Sequence, residues 1–116
     1  MKWIVFTPAI AVLFTALLAP VPASAQAAMS FNHFVTDDMP HAQCMAKART
    51  VMRKARLSLL DPTSEAVWAE TSDRNKLAAI YCLKSRDVAV VSVAGKRVSE
   101  TRPILDRLME AWRDNE

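Results

Sequence analysis

Both histidines and four of the five methionines beyond residue 25 fall between Met29 and Met52, in company with Cys44. Thioether, thiolate and imidazole are soft ligands that suit Cu(I). His41 and Cys44 stand three positions apart, a spacing that brings two side chains to one helix face. A soft-metal site here would draw on His33, His41, Met39 and Met45. Against it, no Met or His motif repeats, and Met45 and Met52 read as gap-filling core residues. Cys44 also has Cys82 as a bonding partner. Copper binding is therefore the second reading, and no cofactor is expected.

Catalytic chemistry has less to work with. Ser64, Ser72, Ser92 and Ser99 sit in no nucleophile-elbow pattern, and no paired-carboxylate or Gly-rich phosphate motif occurs. With one glycine, Gly95, the chain lacks the usual phosphate-cradling loops. Cys44 and Cys82 do not form a C-x-x-C pair, so thioredoxin-like exchange is not indicated. The expectation is a non-enzyme.

Net charge is +3 over 116 residues, too weak to argue for nucleic acid. Lys47, Arg49, Arg53, Lys54 and Arg56 cluster between Met39 and Leu60 with no acid among them. Such a run on one helix is ordinarily a solvated face.

Residues 1–25 read as a cleaved signal peptide. Lys2 gives a positive start, Ile4 to Leu18 an apolar run, and Ala23-Ser24-Ala25 a small-residue cleavage site after Pro20 and Pro22. The expected address is periplasmic or secreted, with no membrane-spanning segment in the mature form. Residues 26–36 form an N-terminal segment and 37–116 one domain. A domain of this size is marginal without a staple. An exporting cell's oxidising compartment lets Cys44 and Cys82 supply it as a disulfide; free thiols or an intermolecular bond are the alternatives.

The elements that position these residues follow from periodicity. Phe31 to Thr36 forms a short strand with Phe31, His33 and Val35 on one side and Phe34 on the other. Asp37, Asp38 and Pro40 open a helix. From His41 to about Leu57, Cys44, Ala48, Val51, Met52 and Ala55 recur on one stripe. Asp61-Pro62 ends that helix. Glu65–Thr71, Leu77–Leu83 and Val88–Ala94 read as strands. The last two form a hairpin in which Leu83 faces Val88 and Ile80 faces Val91. Ser99 or Thr101 caps a final helix striped by Ile104, Leu105, Leu108, Met109 and Trp112.

The fold class is α+β: a two-layer sandwich in the order helix, three-stranded antiparallel meander, helix (αβββα), with a short extra N-terminal strand. Cys44 on the inward helix stripe and Cys82 on the apolar face of the middle strand would join helix to sheet. The opposite face collects Trp68, Tyr81, Val90 and Leu83. Open apolar patches of this kind mark partner sites.

A leader, a helix carrying one Cys, the other Cys in Ala79-Ile80-Tyr81-Cys82, a strand ending Val93-Ala94-Gly95 and a Leu-rich final helix resemble small exported bacterial domains of uncharacterised function. The resemblance implies this fold and disulfide and carries over no catalytic residue. The function expected is non-catalytic binding through the outer sheet face, to an exported protein or to the chain itself.

Overall fold

Near-continuous apolar runs whose side chains alternate between two faces lay down the central strands, and three- and four-residue spacing lays down the helices. The computed structural model describes residues 27–84 and 86–115, and the leader expected over 1–25 lies outside the described residues. In chain order the elements are β1 (Ala28–Val35), α1 (His41–Lys54), β2 (Ser58–Leu59), β3 (Ala66–Glu70), β4 (Leu77–Leu83), β5 (Val88–Gly95) and α2 (Val98–Asp114).

Among the described residues the strands form one five-stranded antiparallel sheet in the order β1-β5-β4-β3-β2. The class is α+β, but the sheet is wider than a three-stranded meander. β1 extends three residues further toward the N-terminus than Phe31 and pairs along the whole of β5, while the two-residue β2 lies on β3. The β4–β5 register is the one the alternation requires: Leu83 opposite Val88, Cys82 opposite Ala89, Ile80 opposite Val91.

One register set enters the core. Phe34, Val67, Ala69, Ala78, Ile80, Cys82, Ala89, Val91 and Val93 cluster with the helix residues Cys44, Ala48, Val51, Met52, Ile104, Leu105, Leu108 and Trp112. Cys44 and Cys82 are bonded, with Cα atoms 6.1 Å apart, so α1 is tied covalently to β4. The indole of Trp112 stacks on Phe34 with centroids 4.3 Å apart and takes the Lys47 ammonium 4.5 Å from its centre. Lys47 is thus not simply solvated: its charge interacts with the face of the indole ring.

Helix boundaries differ from those the sequence suggests. Asp37 and Asp38 do not open α1; both take positive φ (30° and 58°) in a turn. Pro40 is the N-cap, and its carbonyl accepts from Cys44 N–H at 3.0 Å. The helix stops at Lys54, short of Asp61-Pro62. Arg56 N–H donates to Arg53 O and Leu57 N–H to Met52 O, with Arg56 at φ 64°. This is a Schellman ending with arginine in the left-handed position that glycine normally fills. Met52 and Leu57 are both buried, as the motif's apolar contact requires.

α2 begins after Arg97, so neither Ser99 nor Thr101 caps it. Thr101 is fully buried, and its hydroxyl donates to Val98 O at 3.4 Å. That leaves its oxygen to accept from Ser30 Oγ at 2.9 Å, linking α2 to β1. Gly95 lies beside this link. A Cβ there would stand 2.9 Å from Thr101 Cγ2 and 3.3 Å from Lys76 Cγ, so the position requires glycine for space, not for dihedral freedom.

Candidate functional site

The register set opposite the core set lies outside the core cluster. It runs Trp68 and Glu70 on β3, Leu77, Tyr81 and Leu83 on β4, Val88, Val90 and Ser92 on β5, and Met29, Phe31, His33 and Val35 on β1. Two small members are buried, Ala66 opposite Tyr81 and Ala79 opposite Trp68. Each aromatic ring therefore has an alanine across the ladder. The rings themselves meet edge to face at 5.6 Å, a favoured aromatic geometry.

The larger side chains of this set are open. Met29, Phe31 and Val35 are 61%, 71% and 61% exposed, and Leu77 and Leu83 are each 38%. Trp68, Tyr81, Val88 and Val90 are half-buried. Trp68, Tyr81, Val90 and Leu83 thus share one face, as the alternation required. The sequence did not show that β1 would extend the face by Met29, Phe31 and Val35, because its place beside β5 is a long-range pairing.

The face has little charge of its own. Glu70 is its single acid, and Arg74 comes within 3.7 Å of it. The adjoining β3–β4 turn is held by Asp73, whose carboxylate accepts from the Thr71 hydroxyl and from Asn75 N–H at 3.0 Å. Those two bonds, with Lys76 nearby, hold its pKa down at about 2 against desolvation. The charge is structural, fixing a turn in which Arg74 takes a φ of 59°.

The soft-ligand residues do not come together as a set. Met45 is in the core and Met39 packs against it. Met39 and His41 border a cavity of about 40 Å³ beside the Cys44–Cys82 bond. That is the room of a water or two. His33 instead borders an open hollow of about 340 Å³ with Val35, Met109 and Trp112. The Nε2–H of His41 donates to Ser64 O at 2.8 Å, and Nδ1 is buried with no hydrogen-bond partner among the described residues. His41 therefore anchors the start of α1 to the loop before β3. Among the described residues, no three His, Cys, Asp or Glu side chains are placed to share a metal ion, and no helix is long and apolar enough to cross a membrane.

Compared with models of known families, with curated proteins and with solved structures, the chain matches none.

Proposed function

We propose that this chain is a small exported α+β domain in two layers, its helices backing one sheet face, and that it works by binding a protein partner through the other. The observation that carries this reading is a face that runs from exposed Met29, Phe31 and Val35 on the β1 edge, across β5, to Leu77 and Leu83 beside half-buried Trp68 and Tyr81. Contiguous apolar surface rimmed by polar residues is the usual mark of a protein contact, and aromatic anchors near the centre supply most of the binding energy.

The chemistry of the face selects the kind of partner. Among the described residues its strand positions carry no Lys or Arg, and the neighbouring Arg74 is paired with Glu70, which argues against nucleic acid and anionic headgroups. The partner that fits is an exported protein with an apolar surface. The Cys44–Cys82 bond is in keeping with an oxidising compartment, and the leader-like residues 1–25 supply the address. No observation in the fold favours an enzyme or a copper site over this reading.

Photo-crosslinking in exporting cells tests it. A benzophenone side chain at Phe31 or Tyr81 should give discrete protein adducts, while one at Arg107, exposed on the outer side of α2, should not. Trp68→Ala should weaken capture by about 2 kcal/mol and lower monomer stability far less. Unchanged capture with a large loss of monomer stability would make Trp68 ordinary packing and remove the proposal.

A further inference from the structure

Among the described residues the sheet has two edges, and they are built differently. β2 closes one with two residues, Ser58 and Leu59, which is a common way of blunting an edge. The other is β1, eight residues long, with no Lys, Arg, Asp, Glu or Pro. Strands of that length and composition are templates for further pairing.

The backbone groups on this edge can be assigned. Thr36 N–H donates to Asp87 O at 2.9 Å. In an antiparallel ladder hydrogen-bonded positions alternate, so Ser30, Asn32 and Phe34 point their backbone groups at β5. Met29, Phe31, His33 and Val35 point theirs outward. An independent contact agrees: His33 N–H takes no carbonyl of β5 and is bound instead by the Asn32 side-chain oxygen at 2.8 Å.

The geometry points to a second copy of this chain as the occupant of the edge, with β1 pairing antiparallel to β1 about a two-fold axis at Asn32. That register sets Met29 opposite Val35 of the second copy and Phe31 opposite its His33, then repeats by symmetry. All four outward-pointing residues of each strand are used. Apolar meets apolar, aromatic meets imidazole, and no like charges oppose, because the strand carries no acid or Lys/Arg. The exposed side chains of Met29, Phe31 and Val35 cover one another across the junction. Strand addition alone buries less than the roughly 800 Å² per partner of a standard interface, so the dimer is concentration-dependent. The Asn32 oxygen occupies the His33 donor in the single copy and gives it up to a backbone carbonyl in the pair. This proposal rests on backbone groups of the edge and not on partner capture by the open face.

The experiment uses the full-length gene expressed in an exporting cell and the protein recovered as the cell processes it. Light scattering across a concentration series should show a reversible dimer. His33→Pro removes one outward N–H and no ladder bond to β5, and should weaken dimerisation roughly ten-fold or more with unchanged circular dichroism. Asn32→Cys places two thiols at the axis, where Cα atoms of a non-hydrogen-bonded pair lie about 4.5 Å apart, within disulfide range. It should give a covalent dimer, while Val35→Cys, opposite Met29, should not. Should His33→Pro fail to fold, the cysteine pair decides alone. A monomer at every concentration with no Asn32→Cys cross-link overturns the proposal. So does equal cross-linking at both positions, or a dimer lost in Trp68→Ala and kept in His33→Pro, which would be face stacking.

Discussion

Replacing Cys44 and Cys82 with alanine, singly and together, tests how the helix is held to the sheet. The bond joins positions 38 apart. On the loop-entropy model, freeing a loop of that length in the unfolded chain costs about 4 kcal/mol at room temperature. Both sulfurs are buried, at 3% and 2% exposure, so the lost packing adds about 1 kcal/mol. Each single substitution already breaks the bond, and the double mutant should lose little more than either. Cys→Ser should be worse than Cys→Ala by about 1–3 kcal/mol, because a hydroxyl is left in an apolar pocket. Against a typical stability of about 5–15 kcal/mol these are large fractions, and urea unfolding followed by tryptophan fluorescence would resolve them. The m-value should rise with the bond gone, since the unfolded chain then exposes more surface. Single-mutant costs that simply add in the double mutant would refute the reasoning: they would mean two separately buried thiols. A loss below about 1 kcal/mol would refute the loop-entropy magnitude.

Three further expectations follow from local geometry. Arg56→Gly should stabilise the protein by about 0.5–1 kcal/mol in the same unfolding assay, because the Schellman position holds arginine at φ 64° and glycine relieves that strain; a loss of stability would show that the arginine side chain matters more than its backbone. Gly95→Ala should destabilise by about 1–3 kcal/mol, since the new methyl meets Thr101 Cγ2 at 2.9 Å; a thermal midpoint equal to that of the parent would show that Thr101 can yield. Asp73 should titrate near 2 by carboxyl NMR, and Thr71→Val should move it up toward 3.8. Its folded pKa is lowered, so its stabilising effect is present above the unfolded value and disappears as pH falls from about 4 to about 2; a normal pKa in the parent protein would deny the Thr71 and Asn75 hydrogen bonds.

What could be read from residues alone divides by range. The β4–β5 register was legible because Ala78, Ile80 and Cys82 alternate against Ala89, Val91 and Val93, and a one-residue slip would turn every one of them outward. The Cys44–Cys82 pairing was legible because both residues lie on inward stripes. The end of α1 was not, since its stop depends on Arg56 adopting a conformation that sequence signals assign to glycine. Thr101 reads as a cap from its type and position, yet its hydroxyl answers to Ser30, 71 residues away. Ser58–Leu59 is too short to carry a pattern. For the candidate face, Trp68, Tyr81, Val90 and Leu83 followed from local alternation, whereas its widest-open members, Met29, Phe31 and Val35, depended on where β1 docks.

The position of β1 also sets an order of events. Ala28 pairs with Gly95 and Val35 with Val88, so the first strand has no template until most of the domain has been synthesised. Phe34 waits longer still, because its stacking partner Trp112 lies near the end of α2. Contacts this distant in sequence form slowly. During synthesis α1 and the β3–β4 hairpin can gather locally while the N-terminal strand stays extended. The sheet therefore closes only when its last strand and helix are in place, and the N-terminal strand is among the last elements to pair.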